Sequence, residues 1–243
     1  MAQGFDAAAD VYERARPDYP SEALEWIADE LELVTGAYVV DLAAGTGKLT
    51  RQLLALGLRV TAVEPVRGMR EVLTRVLPNV DAIEGTAESI PLEAGAVDAV
   101  TVAQAFHWFD AERALAEIHR VLRPGGGVAL IWNVRDGSDP LQEAYAALIR
   151  PYRGDYPEPH GESEYFSASP LASPLFERYE QRTFRHVQLL DADGLVARAA
   201  SVSFIAKLPV EERGELLERV RAIALAGQFE FPYLTKVFTA RSR

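Results

Sequence analysis

The 243-residue chain contains no cysteine, which excludes disulfide bridges, thiolate metal sites and a cysteine nucleophile. Basic residues are outnumbered: 25 lysines and arginines face 36 aspartates and glutamates, a formal net charge of −11. A uniformly acidic surface repels phosphate backbones, so we expect no nucleic-acid partner. No apolar run approaches the length of a membrane span, and the N-terminal "MAQGFDAAAD" has no basic stretch before an apolar one. We therefore expect a cytoplasmic protein with no membrane partner.

The rest of the composition is that of an ordinary globular domain. Hydrophobic residues make up 49% of the chain and charged residues 25%, which is enough for one large α/β domain with a sizeable core. The 4 histidines are scattered along a chain without cysteine and do not form a metal-binding pattern. We therefore expect a single domain over residues 1–243 that holds no metal ion.

Apolar runs alternate with helical patterns through the first half of the chain. Five segments are predicted strands: "AYVVDLA", "RVTAVEP", "VDAIEG", "VDAVTVAQAF" and "VALIWN". The alternation predicts a doubly wound, mostly parallel α/β sheet with helices on both faces. Two later strand patterns, "FERYEQRTFRHVQL" and "FEFPYLTKVFTARS", predict an antiparallel addition at the edge of the sheet. The expected fold is a seven-stranded, Rossmann-like sheet with an antiparallel C-terminal edge strand.

The segment between this core and the tail has little periodicity. Residues 151–174 contain five of the 14 prolines and several aromatic residues. A long segment of this kind is typical of a lid over a binding site. We expect residues 140–175 to form a substrate lid.

The stretch "VVDLAAGTGKLT", residues 39–50, passes from a strand to a helix through a turn of small residues. A triphosphate-binding loop would require a glycine at Leu42 and a hydroxyl at Leu49, so that alternative fails. A dinucleotide fingerprint fits Gly45 and Gly47 but meets Thr50 in place of its third glycine. A nicotinamide-dependent oxidoreductase remains as an alternative, as does a tight turn that binds no ligand.

Glu64 ends the second predicted strand, where a carboxylate can accept hydrogen bonds from ribose hydroxyls. An acid at this position, without a glycine at position 50, favours a nucleoside ligand that lacks a pyrophosphate. S-adenosylmethionine fits that description, because it is an adenosine with an amino-acid tail and a methyl sulfonium. The turn and Glu64 together favour this cofactor.

Six segments occur in an order and spacing that resemble class I S-adenosylmethionine-dependent methyltransferases. Within these enzymes, they resemble the small-molecule group that includes trans-aconitate methyltransferase-like proteins. The segments are "YERARPDYP", "VVDLAAGTGKLT", "VTAVEPVRGM", "IEGTAESIPL", "VDAVTVAQAFHWFD" and "VLRPGGGVALIW". Ala43 departs from the family, which often has glycine there. The resemblance implies methyl transfer from S-adenosylmethionine to a small-molecule acceptor, with oxygen favoured over nitrogen or carbon.

The same resemblance implies which residues bind the cofactor. The Asp41–Gly47 turn would surround its methionine part, Glu64 would hold the ribose, and Ala87 would present a backbone N–H to the adenine. Residues 1–20 would form a cap, in which Arg16 pairs with the cofactor's carboxylate. The full expected set is Tyr12, Arg16, Asp41, Ala43, Gly45, Thr46, Gly47, Glu64, Pro65, Met69, Thr86, Ala87, Glu88 and Gln104.

His107 directly follows the fourth strand and is the candidate catalytic residue. It could act as a general base for a hydroxyl acceptor, or position an acceptor that needs no base. The expected substrate-binding residues are Trp108, Arg135 and Tyr152. A non-catalytic S-adenosylmethionine-binding module, acting through a partner, is the remaining alternative.

Overall fold

A computed structural model describes residues 15–154, 173–177 and 179–243. Its strands are β1 (Tyr38–Leu42), β2 (Arg59–Val63), β3 (Asp81–Ile83), β4 (Val97–Ala103), β5 (Leu122–Arg135), β6 (Glu180–Leu190) and β7 (Phe229–Arg241). Its helices are α1 (Ser21–Glu30), α2 (Lys48–Ala55), α3 (Arg67–Val76), α4 (Ala111–Val121), α5 (Pro140–Ile149), α6 (Ala192–Ala200), α7 (Ser203–Ala206) and α8 (Val210–Ala222). Two short 3₁₀ turns, Phe106–Trp108 and Arg150–Tyr152, follow β4 and α5.

The strands form one sheet with the order β3-β2-β1-β4-β5-β7-β6. The first five strands in that order run parallel to one another, and β7 runs antiparallel to both β5 and β6. The predicted doubly wound, mostly parallel, seven-stranded fold is confirmed. One detail differs from the expectation: the C-terminal strand β7 lies inside the sheet, and β6 forms the edge. The order of the strands reverses between β1 and β4, which is where such folds bind ligands.

Helices cover both faces of the parallel strands, so β1, β2 and β4 are buried along most of their length. On one face, Ile27 of α1 and Leu53 of α2 pack on the sheet. On the other face, Ile118 of α4 packs in a second apolar cluster. The packed helices therefore hold the carboxyl ends of the strands in fixed positions.

Local signals determine where three of the helices begin. Gly47 precedes α2 with a φ of 90°, a left-handed conformation that glycine adopts at little cost. The side chain of Asp110 accepts a hydrogen bond from the backbone N–H of Arg113 and caps α4. Asp139 caps α5 in the same way, and Pro140 occupies the first turn of that helix.

Helices α5, α6, α7 and α8 form a separate layer beside the C-terminal strands. Tyr145 of α5 packs edge-on against Phe231 with ring centroids 5.5 Å apart, and Phe231 packs against Tyr233 at 5.6 Å. Residues 140–149, expected as part of a lid, are therefore a helix in this layer. Residues 155–172, most of the remaining lid prediction, lie outside the described residues. No helix in the described part of the chain is long and apolar enough to cross a membrane.

Candidate functional site

The turn between β1 and α2 has a left-handed backbone at Ala43, Gly45 and Gly47, with φ values of 56°, 59° and 90°. A Cβ atom at Gly47 would lie 3.0 Å from the side chains of Leu73 and Leu77. A Cβ atom at Gly45 would meet nothing within 4 Å. Packing against α3 therefore requires Gly47, whereas Gly45 leaves open space beside the turn.

Glu64, directly after β2, is hydrogen-bonded to this turn although it is only 5% exposed. Its Oε2 accepts from the backbone N–H of Gly45 at 2.9 Å, and its Oε1 accepts from that of Val66 at 2.8 Å. Burial raises the pKa of Glu64, while the two backbone donors and Arg70 oppose that shift. Because an ionised carboxylate offers about four acceptor sites, Glu64 can still accept from a ligand hydroxyl.

Asp41 is buried beneath the same turn. Its Oδ2 accepts a hydrogen bond from Thr50 Oγ1 at 2.6 Å, and its Oδ1 accepts one from Thr101 Oγ1 at 3.4 Å. Burial raises the pKa of Asp41 to about 7, against the lowering effect of these hydrogen bonds. Thr50, the residue in place of the third fingerprint glycine, therefore has a defined contact with Asp41.

Gln104, after β4, also has a left-handed backbone, with a φ of 58°. Its backbone N–H donates to the carbonyl of Ile131 at 2.9 Å, and its Nε2 donates to that of Asn133 at 3.2 Å. The Oδ1 of Asn133 in turn accepts from Thr235 Oγ1 at 2.6 Å. Strained non-glycine residues such as Ala43 and Gln104 cluster at functional sites, so their position at the strand ends points to a ligand site.

One cleft at the carboxyl ends of β1, β4 and β5 joins the turn after β1, Asp41 and Gln104, while Glu64 is not part of its lining. It encloses about 560 Å³, its open mouth included. The residues that line it are Arg16, Pro17, Tyr19, Asp41, Ala43, Ala44, Gly45, Thr46, Lys48, Leu49, Ala103, Gln104, Asn133 and Arg198. Six of the expected cofactor-binding residues are thus brought together: Arg16, Asp41, Ala43, Gly45, Thr46 and Gln104.

Residues 15–19 extend from α2 to α6 along the wall of this cleft. At one end, the backbone of Tyr19 exchanges two hydrogen bonds with the side chain of Gln52, at 3.0 and 2.7 Å. At the other end, Arg16 Nη2 donates to the carbonyl of Ser201 at 3.0 Å. Arg16 therefore joins the N-terminal segment to α6, a contact that its expected role did not include. Tyr12 lies outside the described residues.

The expected adenine-side residues form a tight turn. Thr86 and Ser89 exchange backbone hydrogen bonds of 3.4 and 3.3 Å, and Ala87 between them is buried. Glu88 Oε1 accepts from the backbone N–H of Asp110 at 3.0 Å, so this carboxylate links the turn to the start of α4.

Two further expected cofactor-binding residues lie near Glu64 but outside the cleft lining. Pro65 is exposed directly after Glu64, and Met69 is half-buried on α3. Met69 is not in the described apolar clusters, so its side chain does not serve as a core residue.

The acceptor-side candidates are spread over three elements. His107 lies in the 3₁₀ turn after β4 and contacts Trp108, with ring centroids 4.7 Å apart, while Trp108 is 57% exposed. Arg135 ends β5, and Tyr152 packs beside the aromatic cluster of α5 and β7. None of the four is among the residues that line the described cleft.

Arg198 is a cleft residue that sequence analysis missed. It lies on α6 and is 7% exposed, and its Nε donates to the hydroxyl of Tyr233 at 3.0 Å. Tyr233 donates onward to Gln188 Oε1 at 3.3 Å. No local motif marks this arginine. The sequence signals only the start of its helix: the side chain of Asp191 caps α6 by accepting from the N–H of Gly194 at 2.8 Å.

Comparison with known proteins assigns this arrangement to a family. The family profile described as "Methyltransferase domain" matches residues 40–130, which run from β1 into β5. An uncharacterized methyltransferase of Mycobacterium tuberculosis is 36% identical over 257 residues, covering 97% of this chain and 94% of the relative. The match therefore extends over both the sheet and the helical layer.

Solved structures share the fold. A structure from Anaeromyxobacter dehalogenans, designated a type II methyltransferase, aligns with a TM-score of 0.67 at 26% identity, over 94% of this chain and 97% of that chain. Phosphoethanolamine N-methyltransferase 2 of Haemonchus contortus, in complex with S-adenosyl-L-methionine, aligns with a TM-score of 0.57 at 17% identity, over 98% and 57%. The oxidoreductase and non-catalytic alternatives are not favoured. The chain belongs to the class I methyltransferases, enzymes that use S-adenosylmethionine as cofactor.

Proposed function

We propose that this methyltransferase acts on a small-molecule acceptor and transfers the methyl group to an oxygen atom. The observation that carries the proposal is the cleft at the carboxyl ends of β1, β4 and β5, whose wall includes two guanidinium and two amide side chains. We also expect the enzyme to act in the cytoplasm and not on nucleic acid, given its net charge of −11.

The residues at the turn after β1 fit the cofactor. Open space lies beside Gly45, where a Cβ atom would meet nothing within 4 Å. The carboxylate of Glu64 is hydrogen-bonded to the same turn and can accept from ribose hydroxyls. Asp41 supplies a carboxyl group beneath the turn, beside the expected position of the cationic amino-acid tail.

The cover of the cleft supports a small acceptor. Residues 15–19 and helix α6 form one side of it through the contact between Arg16 and Ser201. A macromolecular substrate would require a more open approach to the reacting atoms.

The polarity of the cleft supports an oxygen acceptor. Arg16 and Arg198 place positive charge on its wall, which favours an acceptor that carries an anionic oxygen. The side chains of Gln104 and Asn133 add hydrogen-bonding groups at the ends of β4 and β5. Both features suit an acceptor that presents oxygen atoms.

The bound cofactor supplies a methyl group already activated by the positive sulfonium. The chain therefore contributes mainly alignment, which can lower a barrier by roughly 7–11 kcal/mol for well-oriented reactants. The surrounding fold holds Ala43 and Gln104 in a left-handed backbone and so fixes the two turns that face the cleft. His107, on the turn after β4, either removes the proton of a hydroxyl acceptor or positions an acceptor that needs no base.

Methyl transfer to extract components tests this function. The purified enzyme is incubated with S-adenosylmethionine carrying an isotopically labelled methyl group and a bacterial extract separated into metabolites and macromolecules. We expect the label in a small metabolite, identified by its mass. Label confined to protein or RNA would contradict the proposed acceptor class. Reactions without enzyme, and with Glu64→Ala enzyme, distinguish catalysed transfer from spontaneous methylation.

A further inference from the structure

Two side chains on α4 hold the segment that follows the Thr86–Ser89 turn. Arg120 donates from Nη1 to the carbonyl of Leu92 and from Nη2 to that of Ile90, both at 2.8 Å. Glu117 Oε2 accepts from the backbone N–H of Ile90 at 3.0 Å. The backbone of Ile90 is therefore bound on both its donor and its acceptor side.

Glu117 and Arg120 also bind each other. Arg120 donates from Nε to Glu117 Oε1 at 2.7 Å and from Nη2 to Glu117 Oε2 at 2.8 Å. The Arg120 guanidinium lowers the pKa of Glu117, and Glu117 raises the pKa of Arg120. This paired contact fixes the plane of both groups, so they act on the segment as one unit. We call the pair the Glu117–Arg120 clamp.

The start of α4 holds the turn itself. Glu88 accepts a hydrogen bond from the backbone N–H of Asp110, the residue that caps α4. Ala87 is therefore attached to one helix from both directions, through Glu88 on one side and Ile90 on the other. A single rigid element thus determines where the Ala87 backbone lies.

The segment has little room to move elsewhere. A Cβ atom at Gly85 would lie 2.5 Å from Pro91 Cδ and 2.9 Å from Val63 Cγ1. The chain before the turn is thus packed against both the end of β2 and the segment that the clamp holds. Because Glu64 directly follows β2, this packing fixes the position of the turn relative to Glu64, the expected ribose acceptor.

We propose that Glu117 and Arg120 are positioning residues that set the Ala87 backbone N–H where the adenine of the cofactor binds. This inference rests on the proposed function, because it takes the Thr86–Ser89 turn as the adenine-reading element. Neither side chain contacts the cofactor, and both act through the segment that they hold. Their loss changes base recognition while leaving the acceptor and the transfer step in place.

The choice of base provides a sharp test. The N1 atom of adenine accepts a hydrogen bond, whereas N1 of hypoxanthine carries a proton and opposes an N–H donor. A fixed Ala87 N–H therefore favours S-adenosylhomocysteine over S-inosylhomocysteine. A loosened turn discriminates less between them, a change that a general loss of stability would not produce.

The experiment measures the dissociation constants of both compounds by titration calorimetry for the wild type, Glu117→Ala, Glu117→Gln and Arg120→Lys. Arg123→Gln is the matched control. This substitution breaks the ion pair between Arg123 and Asp98 at a distant part of the sheet. Like Glu117, Asp98 accepts a hydrogen bond from a backbone N–H, in this case that of Tyr38. Thermal unfolding and kcat at saturating cofactor are measured for each variant.

We expect Glu117→Ala to weaken S-adenosylhomocysteine binding roughly tenfold and to narrow the preference for adenine. Glu117→Gln restores part of the affinity and part of the preference for adenine, because its amide oxygen can accept from the N–H of Ile90. In all three variants, kcat at saturating cofactor stays within about twofold of the wild type. If Glu117→Ala and Arg120→Lys bind and discriminate like the control, the inference is overturned but the proposed function stands. If the wild type binds neither compound, both are overturned.

Discussion

Gly45 and Glu64 are joined by a hydrogen bond of 2.9 Å from the backbone N–H of the glycine to Oε2 of the buried carboxylate. The other carboxylate oxygen accepts from Val66, so Glu64 links the turn after β1 to the turn after β2. The side chain assigned to the ribose is thus also a structural anchor of the turn beside the cofactor. Its removal affects both the shape of the site and a contact within it.

We expect Glu64→Ala to weaken S-adenosylhomocysteine binding by roughly 10–100-fold, since charge-assisted hydrogen bonds are lost from the ribose and from the turn. Titration calorimetry measures the change. Glu71→Ala, which removes an exposed acid paired with Arg67 on α3, is the control and should leave affinity unchanged. Unchanged affinity in Glu64→Ala would contradict the ribose assignment.

We expect cofactor binding to depend on pH through Asp41. Its pKa of about 7 in the folded protein lies above the ordinary value of 3.8, so the folded state binds this proton more tightly than the unfolded state. Its contribution to stability is therefore complete below pH 3.8 and is lost as the pH rises to about 7. A cationic ligand, by contrast, requires the ionised form of Asp41.

Affinity for S-adenosylmethionine should consequently rise about tenfold per pH unit below pH 7 and level off above it. Asp41→Asn should remove most of this pH dependence. A smaller part should remain, because burial also raises the pKa of Glu64. Asp29→Asn, on the exposed side of α1, should retain the full profile. Asp41 is expected to lose its proton as the pH rises from about 5.5 to 7. A wild-type affinity that does not change over roughly this range would refute the role of Asp41.

Arg198 should influence the acceptor and not the cofactor. In Arg198→Gln we expect the KM for the acceptor to rise roughly tenfold, since a charged hydrogen-bond donor leaves the cleft wall. The dissociation constant of S-adenosylhomocysteine should stay within about twofold of the wild type, because the turns after β1 and β2 are unaffected. Arg221→Gln, which breaks an exposed ion pair with Asp193, is the matched control. Equal losses of cofactor and acceptor binding would argue against this division of roles.

The sheet and the turn at Gly45 and Gly47 could be predicted because both follow from local patterns. Alternating apolar runs define the strands, and glycine is the residue that tolerates the φ of 90° found at Gly47. The opposite holds for Ala43 and Gln104, whose left-handed backbone is imposed by the surrounding fold and has no signature in residue type. The turn itself could therefore be predicted, but the left-handed backbone at Ala43 could not.

Arg198 was harder to predict because it reaches the cleft only through the three-dimensional fold. It is brought there by the packing of α6 on β7, through its contact with Tyr233. The helix at residues 140–149 did carry a signal, the Asp139 cap followed by Pro140, which the proline content of the next segment obscured. The predicted roles of Trp108, Arg135 and Tyr152 stay predictions.

His107 is tested by substitution with glutamine, which retains polarity but cannot take a proton at neutral pH. If the acceptor is a hydroxyl, we expect kcat to fall by roughly 10²–10⁴-fold, with cofactor affinity unchanged. His119→Gln is the control, because the ring of His119 packs edge-on against Phe176 on another part of the fold. A kcat within a few-fold of the wild type, with a raised acceptor KM, would assign His107 to positioning instead.

The most direct measurement is the carbon chemical shift of the transferred methyl group. Product made with S-adenosylmethionine labelled with ¹³C at the methyl is isolated from the metabolite fraction and examined by NMR. We expect a carbon bonded to oxygen, as in an ether or an ester, on a small molecule. A methyl carbon bonded to nitrogen or to carbon, or a signal present only in macromolecules, would contradict the proposed function.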